Sequence, residues 1–352
     1  MELVSVIIPT FNEAKNVGRL LTSLKKQSHK HIEIIVVDDG STDATVAIAR
    51  KYGVKVFRRK HAERSVQRNF GARGARGQYL LFLDADMELS PFVIASCLKN
   101  IDDHKALIIP EKTVGRGFMA TVRKFEREMY MGDLTIEVAR FFPRRVFNEL
   151  AGYDPNLTGT EDYDLPKRII DEYGRKSIGW AKEYILHHET GLTLTKQLKK
   201  KFYYASKSIA YVKKHPGLVL TQGNMLFRLA YFRNWRKFLI KPHLGIAFIF
   251  VRVLEMSAAL LGFITAFKKT TGDKPVDELN ADMSSSFRRI PRLKGGKDVI
   301  KVPLPSSRFF CGPAWEGKGE FGQERIQRSR QEEYYRQDFF EDLFFHKRQL
   351  TL

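Results

Sequence analysis

The first 85 residues alternate short apolar runs with segments of helical periodicity. Four runs have the apolar, β-branched character of strands buried on both faces, at residues 4–9, 34–37, 54–57 and 79–84. Three segments between them have helical patterning: residues 14–26, a segment from Ser41 or Thr42 to Ala49 that Gly53 would end, and residues 66–75. This alternation predicts a parallel sheet built from right-handed βαβ units.

Carboxylates follow three of the predicted strands. Glu13 comes after the first, Asp38 and Asp39 after the second, and the Asp84-x-Asp86 pair after the last. The carboxyl ends of parallel strands share one edge of the sheet, where open α/β folds bind ligands. Carboxylate oxygens suit Mg²⁺ or Mn²⁺, and these ions in turn bind phosphates. We therefore expect a phosphate-bearing ligand and a cation at this edge, although Asp-x-Asp alone is more often an acidic turn.

Five motifs occur in order within residues 1–190. They are Pro9-Thr10-Phe11-Asn12-Glu13, Val37-Asp38-Asp39-Gly40-Ser41, Gln67-Arg68-Asn69-x-Gly71, Phe82-Leu83-Asp84-Ala85-Asp86 and Gly159-Thr160-Glu161-Asp162. Together they resemble the motifs of family 2 glycosyltransferases with the GT-A fold. The resemblance implies an α/β domain, with a Rossmann-like mixed sheet flanked by helices. It also implies an enzyme that moves a sugar from a nucleotide diphosphate sugar to an acceptor with inversion.

The donor site is expected to combine nucleoside and diphosphate contacts. By resemblance, Asp39 is the stronger nucleoside-binding candidate and Asp38 the weaker, although both residue types are also common in turns. Arg64 and Arg68 lie one helical turn apart and could bind the diphosphate or form a solvated basic face. The full set of nucleotide-sugar-binding candidates is Pro9, Phe11, Glu13, Asp38, Asp39, Arg64, Arg68, Asp84, Ala85 and Asp86.

The cation is expected to be Mn²⁺ or Mg²⁺. Asp86 is the first choice as a direct ligand, and Asp84 would contact the ribose or a metal-bound water. The resemblance adds Glu88 as a third ligand and favours His188 over His187 as a contact to the metal or the leaving diphosphate. Adjacent residues on a strand face opposite ways, so at most one of the two rings should reach the site. An equally good interpretation is that either histidine is a hydrogen-bonded residue near the surface without a role in the site.

The base that accepts the acceptor proton is expected in the last motif. Asp162 is the candidate and Glu161 its rival, with Thr160 capping a helix that runs towards Tyr173. Carboxylates in a first helical turn are also favoured by the helix dipole alone.

A strongly basic segment follows the motifs. The chain has a net charge of +20 over 352 residues, and no Asp or Glu occurs between Glu189 and Glu255. Lysines and arginines alternate there with aromatic residues, which predicts basic amphipathic helices over residues 191–242 at an anionic membrane surface. A nucleic-acid surface is the competing interpretation, but the apolar segment that follows favours the membrane, and we expect no nucleic acid.

Residues 243–267 are almost entirely apolar. This segment is expected to be a transmembrane helix, an in-plane membrane helix or a soluble core helix, in that order of preference. Arg252 and Glu255, three positions apart, could pair on one face. A membrane helix implies a lipid-linked acceptor such as a polyprenyl phosphate, and the flanking positive charge places the catalytic domain on the cytoplasmic side.

The remaining alternatives concern the identity of the donor, the identity of the acceptor and the functional class of the protein. A UDP-sugar is the first expectation and GDP-mannose the second, and a glycan or protein acceptor is the alternative to a lipid. From other classes, a sugar-phosphate nucleotidyltransferase and a non-enzymatic basic adaptor for membranes or nucleic acids remain possible. Residues 268–352 resemble nothing in the family and are expected to form a linker and a C-terminal tail, with a short helix over residues 323–345. The oligomeric state is left open.

Overall fold

The computed structural model describes residues 2–59, 62–189, 191–215, 231 and 233–271. The expected helix over residues 323–345 and the tail from residue 272 onwards lie outside the described residues, as do residues 216–230 of the basic segment.

Strands and helices alternate through the first half of the described chain. The strands are β1 (Val4–Thr10), β2 (Ile32–Asp38), β3 (Lys55–Arg58), β4 (Tyr79–Phe82), β5 (Met87–Leu89), β6 (Ala106–Ile108), β7 (Glu111–Val114), β8 (Ala139–Pro143), β9 (Ile178–Trp180) and β10 (Ile185–His188). The helices are α1 (Val17–Lys25), α2 (Thr45–Lys51), α3 (Arg64–Arg73), α4 (Val93–Asn100), α5 (Phe118–Tyr130), α6 (Arg144–Glu149), α7 (Glu161–Tyr173), α8 (Leu194–Lys207), α9 (Ile209–Lys214), α10 (Arg236–Ile240) and α11 (Pro242–Thr271).

The main sheet has seven strands in the order β3-β2-β1-β4-β8-β6-β9. The first four are parallel, as predicted, with Ile8 opposite Val36 and Ile7 opposite Phe82. Strand β8 is antiparallel to both β4 and β6, so the sheet is the expected mixed α/β sheet. A second sheet, β5-β10-β7, sits beside the end of β4.

Helices cover both faces of the main sheet, which explains the unbroken apolar strands. Successive residues of β1 alternate between two cores: Val6 and Ile8 pack with α1 residues such as Leu20, whereas Ile7 packs with Phe82 on the other face. Both cores hold the strands rigidly up to the edge where their polar residues begin.

The predicted helices are present, but several begin at other residues. α1 begins at Val17 and α3 at Arg64, instead of residues 14 and 66. α2 begins at Thr45 because the side chain of Ser41 accepts a hydrogen bond from the Asn12 amide instead of capping the helix. Asp43 accepts the hydrogen bond from the Thr45 amide at 2.9 Å.

The carboxyl-terminal helices pack on one another and on α5. The predicted pair of Arg252 and Glu255 is confirmed, with 2.7 Å between Nη1 and Oε2. Pro242 opens α11, a position where its missing amide hydrogen costs nothing. The proposed division at residues 190, 242 and 267 stays a prediction.

Candidate active site

The loops after β1 and β2 are joined by hydrogen bonds at the carboxyl edge of the sheet. Asn12, which has a φ of +55°, donates its amide to the Ser41 hydroxyl at 2.8 Å. The Asn12 side chain accepts a hydrogen bond from the Thr42 amide at 2.9 Å. These contacts fix the loop that carries Phe11, whose ring is 50% exposed, and Glu13.

Asp38 and Asp39 differ in what they bind. Asp38 is fully buried and accepts hydrogen bonds from the amides of Gly40 and Ser41, at 3.2 and 3.0 Å, so it closes its own turn. Asp39 accepts hydrogen bonds from the Ala62 amide at 2.8 Å and from the Gln67 side chain. Both carboxylates are thus bound by the protein itself, and the order predicted for them as nucleoside contacts stays a prediction.

The Gln67-Arg68-Asn69-x-Gly71 motif on α3 packs against the carboxyl edge of the main sheet and binds residues of the loops there. Gln67 binds Asp39, and Asn69 exchanges two hydrogen bonds with the backbone of Tyr153 at 2.7 and 3.0 Å. A Cβ on Gly71 would lie 2.5 Å from the Ile7 side chain, so glycine lets α3 approach β1 closely.

Arg68 joins the two acidic motifs that lie far apart in the sequence. Its guanidinium, fully buried, is 2.9 Å from Asp84 and 2.5 Å from Asp162, and 3.5 Å from Glu161. Burial would raise the pKa of Asp84, but Arg68 and Arg140 outweigh it and hold that pKa well below its usual range. Arg68 was expected to bind the diphosphate or to lie on a solvated basic face; its burial excludes the solvated face, and the diphosphate contact stays a prediction.

Arg140 and Glu111 extend this network towards the second sheet. Arg140 on β8 lies 3.5 Å from Asp84 and 2.7 Å from Glu111. Glu111 also accepts hydrogen bonds from Arg127 at 2.5 Å and His187 at 2.9 Å. Burial would raise the pKa of Glu111, but Arg140 and Arg127 lower it well below its usual range.

The two histidines of β10 contact different acids. His187 Nε2 lies 3.3 Å from Asp86, and His188 Nε2 lies 2.8 Å from Glu88. Burial alone would lower the pKa of His187, but its hydrogen bonds to Asp86 and Glu111 raise it to about 9. The rings separate as strand geometry requires, and the ring beside Asp86 is that of His187. The role assigned to His188 stays a prediction.

The surroundings of Asp86 fit a cation that also binds substrate. Its Oδ1 is buried and has no hydrogen-bond partner among the described residues. Among all the residues that the structure describes, no three His, Cys, Asp or Glu side chains lie close enough together to hold a metal ion by themselves. Mg²⁺ is commonly held by one or two carboxylates together with substrate phosphates, so an incomplete protein shell at Asp86 is compatible with such an ion.

Asp162 and Glu161 open α7 but differ in access to solvent. The Glu161 side chain is fully buried, and its two oxygens have no hydrogen-bond donor among the described residues. Burial and the charge of Asp162 raise the pKa of Glu161. Asp162 is 17% exposed and held by Arg68, which makes it the better placed of the two rivals. Thr160 is the N-cap residue as predicted, but its hydroxyl makes no capping hydrogen bond.

Helix α8 covers the site from the carboxyl-terminal side. Tyr204 accepts a hydrogen bond from Arg64, whose other nitrogen lies 4.0 Å from Asp84. The Tyr204 ring packs against Gly159, where a Cβ would lie 2.5 Å from a ring carbon. Gly159 also has a φ of +75°, so both space and backbone conformation require glycine here.

The structure brings most of the predicted residues to one edge. Glu13 lies close enough to Asp86 and Asp84 that, after burial, their charges help to raise its pKa, although its hydrogen bond with Asn16 opposes this. Ala85 is buried between the two aspartates and serves the turn. Sequence reasoning missed Glu111, Arg140 and Tyr204, which complete the network.

Comparison with known proteins identifies a family for the amino-terminal half. Residues 5–151 match the family described as Glycosyl transferase family 2. An uncharacterized glycosyltransferase of Rickettsia typhi is 29% identical over 181 residues, which are 46% of this chain and 57% of the relative. The poly(ribitol-phosphate) beta-N-acetylglucosaminyltransferase TarS of Staphylococcus aureus is 36% identical over 124 residues, 32% of this chain and 22% of the relative. The chain thus spans about half the length, or less, of these curated relatives.

Solved structures of similar form have low sequence identity. A mannosyltransferase from Pyrobaculum calidifontis in complex with GDP-Man and Mn²⁺ superposes with a TM-score of 0.47 at 18% identity, covering 82% of this chain and 81% of that one. The S. aureus TarS fragment 1–349 in complex with UDP superposes with a TM-score of 0.45 at 19% identity, covering 77% and 92%.

Proposed function

Residues 5–151 form a glycosyltransferase family 2 domain, and on that premise we propose that this chain transfers a sugar from a nucleotide diphosphate sugar to an acceptor with inversion. The observation that carries the proposal is the buried Arg68, which holds Asp84 of the Asp-x-Asp motif and Asp162 of α7 within one network. Donor-side and acceptor-side carboxylates are thereby kept in a fixed relation, as a single displacement requires.

The donor nucleoside binds between the loops after β1 and β2. The exposed Phe11 offers an apolar face to the base, and Asp39 an acceptor for base or ribose donors. Arg64, 38% exposed and near Asp84, meets the diphosphate. UDP-sugars are the first candidates and GDP-mannose the second.

Asp86 would hold a divalent cation, Mn²⁺ or Mg²⁺, with Glu88 as a further oxygen ligand. When bound, such an ion neutralises the charge that develops on the departing nucleoside diphosphate. Arg68 and Arg140 keep Asp84 charged beside it, so that Asp84 can bind ribose or a metal-bound water. The partnerless Oδ1 of Asp86 supports this assignment.

Asp162 takes the proton from the attacking acceptor group. Its carboxylate is partly open to solvent, while Arg68 fixes its Oδ1 at 2.5 Å and leaves the other oxygen for the acceptor. A well-placed general base contributes typically 10²- to 10⁴-fold to rate. The Glu161 side chain is fully buried next to Asp162 and is not open to an acceptor, which makes it the weaker candidate for the base.

The acceptor is a lipid-linked group such as a polyprenyl phosphate, with the catalytic domain on the cytoplasmic side. Support comes from α8: its Tyr204 contacts Arg64 at the site, and the same helix packs along the apolar α11. A soluble polyol phosphate or glycan is the second candidate, since the name of the S. aureus relative specifies poly(ribitol-phosphate).

A panel assay tests the proposal. Purified full-length protein with Mn²⁺ or Mg²⁺ is given labelled UDP- and GDP-sugars together with a polyprenyl phosphate, and label in the organic phase is scored. Metal-dependent transfer into the lipid supports the whole proposal. Label moving only to a soluble polyol phosphate would refute the lipid acceptor and retain the transferase. The absence of transfer or donor hydrolysis with every donor would refute the transferase, leaving a nucleotidyltransferase or an adaptor.

A further inference from the structure

The outer face of α11 carries a stripe of apolar side chains. Its exposed apolar residues lie in two groups at helical spacing, separated by a turn that contains the exposed Ser257: Ile246, Ile249, Phe250 and Val253, and then Leu260, Leu261 and Ile264, each at least 40% exposed. Trp235, Leu239 and Ile240 of the preceding α10 region are exposed as well, at 53%, 67% and 73%. An exposed apolar surface of this size marks an interaction site.

The two charged side chains in the middle of α11, Arg252 and Glu255, point inward, away from this stripe. Arg252 and Glu255 are 2% and 1% exposed, and Glu255 accepts a hydrogen bond from Gln197 of α8 at 2.8 Å. Arg252 also forms an ion pair with Glu126 of α5. The helix therefore keeps these two charges against the protein and its apolar side outward, the reverse of a helix on a water-facing surface.

The two hydroxyls on the outer stripe are satisfied within the helix. Ser257 donates to the Val253 carbonyl at 3.0 Å, and Thr265 donates to the Leu261 carbonyl at 2.7 Å. Hydroxyls that bind the preceding turn need no outside partner, which is what a hydrocarbon environment demands.

Packing against the catalytic domain limits how α11 can meet a bilayer. The Phe248 ring lies 6.0 Å from Phe125 of α5, and Gly262 lies so close to the Phe202 carbonyl of α8 that a Cβ there would collide. These contacts cover roughly 21 Å of helix at 1.5 Å per residue, most of the ~30 Å hydrocarbon core. A membrane-spanning α11 would pull α8, with Lys199 and the rest of its lysines, into hydrocarbon at high cost.

We infer that α11 lies in the plane of an anionic membrane surface, with its outer stripe among the acyl chains, and does not cross the bilayer. Lys241 and Lys268 stand exposed at the two ends of the stripe, at the level of lipid phosphates, and the Lys241 amine also lies 3.9 Å from Glu128 of α5. The exposed Trp235 suits the same interface. No acidic residue in the segment between Glu189 and Glu255 opposes the attraction. This inference does not rest on the sugar transfer.

Vesicle flotation tests the partner. Full-length protein is expected to float with vesicles that contain phosphatidylglycerol and to float less with phosphatidylcholine alone. The double variant Leu260→Glu with Leu261→Glu should lower the bound-to-free ratio at least about tenfold, because two charges would enter the acyl region. Phe92→Glu is the control for an added surface charge, since Phe92 is 57% exposed but is the N-cap residue of α4, away from α11. Equal binding of wild type and double variant would overturn the inference.

Cysteine accessibility in cells tests the orientation. Single cysteines replace His243 or Lys268 in a Cys311→Ser background, where Cys97 is buried. An impermeant maleimide should label both positions in inverted membrane vesicles and neither in intact spheroplasts. Labelling of either position from outside the spheroplast would mean that α11 crosses the bilayer. A loss of oligomers in the Leu260/Leu261 variant, with vesicle binding unchanged, would assign the stripe to a second copy of the chain and overturn the lipid partner.

Discussion

Arg68→Met tests whether the buried arginine holds the acidic motifs together. Its guanidinium is fully buried and lies 2.9 Å from Asp84 and 2.5 Å from Asp162. Methionine retains much of the apolar volume but removes the positive charge. Two carboxylates would then remain close together without their shared partner.

The size of the effect follows from the burial of these partners. Removing one member of a buried charge pair typically costs 3–5 kcal/mol, because the other charge stays buried and unpaired. Asp84 and Asp162 are 21% and 17% exposed, and Asp84 keeps Arg140 at 3.5 Å, so water and this second arginine offset part of the loss. We therefore expect about 3 kcal/mol of lost unfolding free energy, and a partial recovery when Asp162→Asn is added to Arg68→Met.

Urea denaturation measures this prediction, with Arg76→Met as the control. Arg76 pairs with Glu33 at 3.1 Å but is 79% exposed, so its loss should cost no more than about 1 kcal/mol. If Arg68→Met and Arg76→Met lowered the unfolding free energy equally, the buried bridge would not stabilise the site. A further loss on adding Asp162→Asn would also contradict the reasoning.

Two further predictions concern the ends of α7. Gly159→Ala should push Tyr204 and α8 away from the site and lower transfer at least about tenfold in the panel assay. Gly174→Ala, with a φ of +82° but open space around it, shares only the backbone strain and should leave transfer near wild type. An equal loss of transfer in the two variants would show that the clash with Tyr204 is not the cause. Burial would raise the pKa of Asp164, but hydrogen bonds from His215 and Lys214 lower it below its ordinary value. The ionised Asp164 therefore stabilises the folded state above about pH 4, and this stabilisation is lost as the pH falls through the folded pKa. Asp164→Asn should therefore lower stability at neutral pH and flatten its fall in acid, measured by urea denaturation, and an unchanged acid dependence would refute this.

The sequence predicted the frame of the site because its signals are local. Apolar runs that end in Glu13, Asp39 and Asp84 identify strands and their carboxyl ends without any tertiary information. The spacing of Arg64 and Arg68 also placed both on one helix face, and both do lie near Asp84. Periodicity does not show how deeply a side chain is buried, however, and Arg68 is fully buried although a solvated basic face was one of its two predicted roles.

Glu111 and Arg140 were missed for different reasons. Glu111 follows the apolar residues 106–109, so the rule that selected Asp84 applies to it as well. Arg140 interrupts an apolar strand, and a charge in such a position is rarely buried without a partner. Arg140 pairs with Glu111, 29 residues away in the sequence, and with the still more distant Asp84, and pairings of that separation depend on strand order. The antiparallel insertion of β8 between β4 and β6 sets that order, and no local pattern shows it.

The most direct measurement of the central claim separates donor binding from transfer in two variants. The affinity for the nucleotide diphosphate sugar is measured by calorimetry with and without divalent cation, and the transfer rate is measured in parallel. Asp162→Asn should bind donor like the wild type and transfer about 10²- to 10⁴-fold more slowly. Asp86→Asn should lose the cation-dependent part of donor affinity. Transfer by Asp162→Asn at the wild-type rate, or cation-dependent donor binding by Asp86→Asn, would contradict the account.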